Sequence, residues 1–183
     1  LAAMTNRLPA CTCSKPTAIL QKLTKQPWLH TRVPDGGVCF VDADGDGDMD
    51  LYVAKHGMQL QEGDAAYQHQ IYQNDGRGNF SFLPYALPAM TASSIVVCAA
   101  DYNKDGKMDV LVGSRIVPGR YPVIPTTYLL KNVSTGGNTR FEYAREQLSN
   151  ELRQPGMVTA AQWTDINNDK WPDLILGGEY MPI

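Results

Sequence analysis

Five carboxylates fall within nine residues of the stretch Asp42-Ala-Asp-Gly-Asp-Gly-Asp-Met-Asp50. Read as a loop, Asp42, Asp44 and Asp46 take positions one, three and five, and Asp50 takes position nine. Short oxygen-bearing side chains at alternate positions converge on one point when the backbone curls around it. Gly47 at position six permits the sharp turn, because glycine enters positive φ at no steric cost. The backbone carbonyl of Asp48 at position seven and the carboxylate of Asp50 complete six or more oxygen ligands, which suits a hard cation of calcium's size. No soft ligand stands in the stretch, so zinc and copper are disfavoured.

The spacing recurs twice. Asp101-Tyr-Asn-Lys-Asp-Gly-Lys-Met-Asp109 supplies Asp101, Asn103, Asp105 and Asp109, with Gly106 at position six and Lys107 offering its carbonyl at position seven. Asp165-Ile-Asn-Asn-Asp-Lys-Trp-Pro-Asp173 supplies Asp165, Asn167, Asp169 and Asp173, with Trp171 at position seven. Lys170 replaces the glycine at position six, so the third loop is the poorest match. A single acidic, glycine-rich stretch also fits a solvated turn; three copies with the same flanks favour a shared ligand. Five aspartates in so short a loop repel one another. At about 6 Å and an effective dielectric of about 20, each unscreened pair costs about 2–3 kcal/mol. These three loops (loops 1, 2 and 3) are therefore expected to bind up to three calcium ions, with loop 2 weakened by Lys104 and Lys107.

Of the 19 acidic residues, 11 are aspartates of these loops, and the remainder of the chain is net basic. Three divalent ions would reverse the sign of the formal charge of −3, so the sequence charge is a poor guide to partners. No basic cluster interleaved with aromatics points to nucleic acid, and no apolar run is long enough to span a membrane. The segment Leu1-Ala-Ala-Met4 is too short for a complete signal peptide. Cys11 and Cys13 form a C-x-C pair with no second such pair or nearby His, a poor match to a zinc site. Cys39 and Cys98 each stand three residues before a loop and read as small core residues of equivalent strands, so cysteine usage leaves the redox compartment open. His30, His56 and His69 form no recognisable nucleophile–base pair, and His56 reads as a solvated turn residue. Trp28, Trp163 and Trp171 read as packing residues ahead of sugar-stacking ones, with Trp163 at the same core offset as Phe40 and Ala99.

The loops begin at residues 42, 101 and 165, a period of 59 and then 64 residues. Short strands are expected before each loop (residues 37–41, 96–100 and 159–163) and after it (51–53, 110–112 and 174–176). Gly57, Gly113 and the pair Gly177 and Gly178 are expected to end those second strands. Residues 67–74 and 126–132 read as third strands, and residues 79–82 and 140–143 as fourth strands, with a hairpin over residues 73–80. Four antiparallel strands in about 60 residues is the make-up of a propeller blade. The expected fold is all-β, a partial β-propeller of about two and a half four-stranded antiparallel blades. The segments are 1–35, an N-terminal part; 36–93, blade 1; 94–157, blade 2; and 158–183, a truncated blade 3. Residues 17–25 read as a short helix or as a strand of a neighbouring blade, 116–125 as a surface loop, and 146–152 as a helical turn. The array is expected to be part of a longer protein whose further blades complete it.

The three loops of form D-x-[DN]-x-D-x-x-x-D, each followed by an apolar strand, resemble FG-GAP or VCBS repeats of integrin-alpha-like β-propellers. The resemblance covers residues 36–183. Ile71-Tyr-Gln-Asn-Asp-Gly-Arg-Gly-Asn-Phe80 and Gly156-Met-Val-Thr-Ala-Ala-Gln-Trp163 are similar to the bacterial type, in which an ASPIC/UnbV domain often follows. The resemblance implies calcium at the residues named above and a secreted or cell-surface protein of the cell envelope. An EF-hand is a poorer fit, since position twelve is Val53, Val112 or Leu176 rather than an acid. Two functions stay open. One is a non-enzymatic binding or adhesion scaffold for a protein or glycan; the other is the propeller portion of a secreted polysaccharide-degrading enzyme. Arg115, Arg120 and Tyr121 mark the candidate partner site.

Overall fold

The computed structural model describes residues 32–144 and 148–181, all within one unit of the chain, Thr31–Ile183. The readings of residues 17–25, of Cys11 and Cys13, and of Trp28 and His30 lie outside the described residues. Ten strands among those residues form three antiparallel sheets in sequential order. Blade 1 is β1 (Asp35–Val41), β2 (Asp50–Lys55), β3 (Gln70–Asn74) and β4 (Phe80–Phe82). Blade 2 is β5 (Ser94–Ala100), β6 (Asp109–Ser114), β7 (Tyr128–Asn132) and β8 (Phe141–Tyr143). β9 (Met157–Thr164) and β10 (Asp173–Glu179) pair as the start of a third blade. The fold is nearly all β, in the blade form expected of a propeller.

Each acidic loop joins the first two strands of its blade in the same register. Position nine opens the second strand and pairs with the residue just before position one: Asp50 with Val41, Asp109 with Ala100 and Asp173 with Thr164. Because side chains alternate along a strand, that register decides which face every residue joins. Tyr52, Ala54 and Ile71 of blade 1 face blade 2 and meet Val110, Val112 and Leu130 in one buried cluster. Leu111 and Leu129 point the other way, against Trp163, Leu174 and Leu176 of the third blade. Along the chain β1 packs on β5 and β5 on β9, which is how neighbouring propeller blades stack their first strands.

The glycines expected to end the second strands do so once. Gly57 has φ +130 and follows β2. Gly113, however, lies inside β6, and Gly177 and Gly178 lie inside β10, where the pairing shifts by a bulge. Their role is close approach. A Cβ on Gly113 would stand 2.7 Å from Val158 Cγ1, and one on Gly178 would stand 2.1 Å from the Met157 carbonyl oxygen. Gly36 and Gly37 of β1 are held the same way against the backbone of Ser94 and Ile95 in β5.

Three further expectations are corrected and one is refined. β3 starts at Gln70 because Asp64 accepts the Ala66 N–H and caps a single 3-10 turn over Ala65–Tyr67, whose Tyr67 is buried with its hydroxyl on the Gly57 carbonyl. The segment 116–125 exposes only its crest, while Ile116, Pro118 and Pro125 are buried. The helical turn near residue 150 is a short helix α1 (Asn150–Arg153) begun by Ser149, and residues 145–147 lie outside the described ones. Phe40 holds the same strand position as Ala99 and Trp163 but is not core: it is 60% exposed. It sits on the face of blade 1 turned away from blade 2, in the cross-strand row Phe40, Leu51, Tyr72 and Phe82. Cys39 and Cys98 are half-buried free thiols, and burial pushes the Cys98 thiol up to about 12.

Gly113→Ala is expected to destabilise the protein by about 1–3 kcal/mol, the usual range for overpacking. Pairing it with Val158→Ala should recover part of that loss in urea denaturation. An additive double variant would show that the two side chains do not compete for the same space.

Candidate metal centres

The three loops close through one repeated set of backbone-to-carboxylate hydrogen bonds. The position-six N–H donates to the position-one carboxylate: Gly47 to Asp42 (3.1 Å), Gly106 to Asp101 (2.9 Å) and Lys170 to Asp165 (2.8 Å). The position-five N–H donates to the position-three side chain: Asp46 to Asp44, Asp105 to Asn103 and Asp169 to Asn167. The position-seven N–H donates to position five: Asp48 to Asp46, Lys107 to Asp105 and Trp171 to Asp169. Asp and Asn form such local bonds readily, which is why they dominate tight turns.

The backbone is left-handed at positions four and six in every loop. Gly45 and Gly47 take it in loop 1, Lys104 (φ +57) and Gly106 in loop 2, and Asn168 (φ +61) and Lys170 (φ +72) in loop 3. Loop 3 thus has the same shape as the others despite its missing glycine. The conformation costs a residue with a Cβ about 1–2 kcal/mol, and the Lys170 N–H bond to Asp165 holds it there.

Position nine anchors each loop to the sheet. In loop 1, Asp50 is buried and accepts the N–H groups of Ala43 (2.9 Å) and Asn74 (2.8 Å). In loop 2, buried Asp109 accepts the Asn132 N–H (2.7 Å), and its second oxygen, Oδ2, is buried with no partner. In loop 3, Asp173 accepts the Ile166 N–H. Burial raises both Asp50 and Asp109 to about 6, against the pull of their backbone donors. Asp48 is raised as well, by burial first and then by Asp46, Asp44, Asp42 and Asp75. Its Oδ1 is also buried without a partner. Crowded carboxylates and orphaned oxygens are what a hard cation relieves, so the residues present fit calcium.

Asp42, Asp44 and Asp50 each place an oxygen within 4.8 Å of the others, the only such set of three among the described residues. Asp46 stands outside that set. It is exposed, and its Oδ1 accepts the Asp48 N–H. The lysines expected to weaken loop 2 point elsewhere. Lys104 lies 3.9 Å from the centre of the Trp171 ring, and Lys107 Nζ donates to the Ser134 carbonyl (2.7 Å). The ammonium that meets a loop 2 carboxylate is Lys131 of β7, 3.3 Å from Asp105 Oδ2. Burial raises Asp105, but the Lys107 N–H and Lys131 outweigh it and the net shift is downward.

Two supporting residues escape a reading of the loops alone. Asn74 and Asn132 end the third strands, where each gives its N–H to position nine and its amide to the position-eight carbonyl of Met49 or Met108. The signal is an asparagine at the end of both third strands. Gln73 also reaches loop 1, donating to Asp44.

At the other end of the strands, His56 is not a solvated turn residue. Its Nδ1 faces Ser93 Oγ at 3.1 Å, and that hydroxyl also accepts the Gly57 N–H. Ser93 is 1% exposed, so this serine cannot reach a substrate. His69 is buried between the Tyr52 hydroxyl and the Ala92 carbonyl, and burial lowers it to about 4. Arg115 bonds Glu179, Arg120 bonds Glu62, and the hydroxyls of exposed Tyr121 and Tyr180 lie 3.4 Å apart. No helix among the described residues is long and apolar enough to cross a membrane.

Lys170→Gly is expected to stabilise the protein by about 1 kcal/mol, since glycine removes the left-handed penalty. A higher urea midpoint at unchanged slope checks it. No curated protein matches the chain. Residues 42–112, which hold loops 1 and 2 and the strands between them, match the family model described as FG-GAP-like repeat. With the blades and repeated loops, that match supports an FG-GAP-like repeat over this stretch of the chain.

Proposed function

We propose that the protein is a calcium-binding β-propeller module that acts without catalysis, as a rigid scaffold for a protein or glycan partner outside the cytoplasm. The observation that carries the calcium reading is the convergence of Asp42, Asp44 and Asp50, beside a fourth carboxylate whose buried oxygen has no partner. Loop 1 would hold an ion through these residues and the Asp48 carbonyl, and loops 2 and 3 through Asp101, Asn103, Asp105 and Asp109 and through Asp165, Asn167, Asp169 and Asp173. A bound ion supplies the positive charge that cancels their mutual repulsion, and binding to the folded form alone adds stability by mass action.

The partner would meet the opposite edge of the blades. Antiparallel strands send the β1–β2 and β5–β6 loops to one edge and the β2–β3 and β6–β7 connections to the other. That second edge carries Tyr121, Tyr180 and the ion pairs of Arg115 and Arg120. Aromatic faces bordered by paired charges suit a sugar or a polar peptide. The enzyme alternative gains no support from the one Ser–His contact described, because its hydroxyl is enclosed.

Calcium titration of chelated protein by calorimetry should show binding heat and a rise in Tm, and Asp44→Asn should weaken the tightest site. No heat and no shift would sink the calcium reading. A glycan array with and without calcium tests the scaffold: retention without product supports it, and product release favours the enzyme.

Acid should also weaken binding. The folded-state values of Asp50 and Asp109 are raised to about 6, so protons compete for these ligands below that pH. In the calcium-free protein the same shifts make stability fall as pH rises from about 4 to about 6. Buried His69, lowered to about 4, works in the opposite sense over that range, because stability is lost as pH falls below the ordinary histidine value. The two trends offset in stability, so calcium affinity is the cleaner readout. It should fall progressively as pH drops below about 6, the value to which both carboxylates are raised, and stay level well above it.

A further inference from the structure

Loops 1 and 2 belong to different blades, yet a run of buried hydrogen bonds joins their position-nine carboxylates. Asp109 Oδ1 accepts the Asn132 N–H (2.7 Å). The Asn132 amide nitrogen donates to the Ala43 carbonyl of loop 1 (2.9 Å). The Ala43 N–H donates to Asp50 Oδ2 (2.9 Å). Ser134 Oγ gives the same Ala43 carbonyl a second donor at 2.8 Å. Asn132 Oδ1 accepts the Ser134 N–H, and Lys107 of loop 2 donates to the Ser134 carbonyl. Asp50, Asp109 and Ala43 are at most 1% exposed, Asn132 is 2% and Ser134 is 5% exposed.

Ala43 stands between the position-one and position-three side chains of loop 1, so fixing its peptide orients Asp42 and Asp44. Asn74, the equivalent of Asn132 in blade 1, donates to Met49 within its own blade. Asn132 makes the equivalent bond to Met108 (3.1 Å), and its amide nitrogen reaches the loop of the preceding blade as well. A hydrogen bond buried away from water is costly to break, so a change in the geometry of loop 2 is transmitted to Ala43.

We propose that Asn132, assisted by Ser134, is a positioning residue that couples the cation sites of loops 1 and 2, so that filling loop 2 raises the affinity of loop 1. This rests on the calcium reading of both loops. Such a coupling is reciprocal, because in linked equilibria each site changes the affinity of the other by the same factor.

The test is a calcium titration of the whole chain followed by the amide resonances of Gly47 and Gly106, which report loops 1 and 2 separately. Asp105→Asn weakens loop 2 directly. It should also weaken loop 1, read at Gly47, by about five-fold, the lower end of typical coupling. In an Asn132→Ala background the same substitution should move the Gly47 midpoint by less than about two-fold, on the same scale. Long-range repulsion between the loops would survive Asn132→Ala, so this comparison separates contact from field. Ser134→Ala, which keeps the Asp109 bond, should lower the coupling in part and stands in if Asn132→Ala does not fold. A Gly47 midpoint indifferent to Asp105→Asn, or equally shifted in the Asn132→Ala background, overturns the coupling while leaving calcium binding in place. Silence of both glycines towards calcium overturns the calcium reading and the coupling together.

Discussion

The bond from the position-six N–H to the position-one carboxylate closes each acidic loop, and the blades inherit their geometry from it. Closing the loop demands a left-handed residue at position six, a role filled by Gly47, Gly106 and, under strain, Lys170. Closure brings position nine opposite the residue before position one, and this sets the register of the first hairpin. A slip of one residue would exchange the two faces of the strand. The loop therefore decides which apolar residues meet the next blade, and a change in its chemistry reaches the core through register.

Blade stacking then depends on how near two backbones approach. Gly36 and Gly37 let β1 rest on β5, and Gly113 lets β6 meet Val158 of β9. Between these contacts lie two apolar layers, one around Tyr52, Ile71, Val110 and Leu130, the other around Leu111, Leu129, Trp163 and Leu174. Two pairs of polar groups caught between the layers bond each other. Tyr52 and His69 hold each other, and Ser94 meets Ser114 at 2.8 Å. Buried polar groups carry such partners because an unmade hydrogen bond away from water is expensive. The unpartnered oxygens of Asp48 and Asp109 in the acidic loops depart from that rule, as do Thr127, Thr139 and Trp163 outside them.

The architecture divides the molecule by edge. Acidic hairpins occupy one edge, where they touch across blades through Ala43 with Asn132 and through Lys104 with Trp171. Longer connections occupy the other, tied by Glu62 with Arg120 and Arg115 with Glu179. Exposed ion pairs of this kind contribute little stability. Their effect is to order long side chains beside Tyr121 and Tyr180.

The sequence by itself determined the repeat, the loop positions that carry oxygen, the strand order and the all-β class, because each depends on local spacing and short-range turn chemistry. Aspartate and asparagine at alternate positions can close only one kind of arc, so loop 3 is legible even with Lys170 in the glycine's place. Residues whose roles depend on a neighbouring blade were not legible. Gly113 looks like a strand terminator until Val158 is seen above it, Phe40 looks like core until its face is found turned from blade 2, and His56 looks solvated until Ser93 comes beside it. Lys131, rather than Lys104 or Lys107, neutralises Asp105, and Asn132 reaches a loop 89 residues away. These are contacts between segments distant in sequence, and only stacking of the blades brings them within hydrogen-bonding or van der Waals reach.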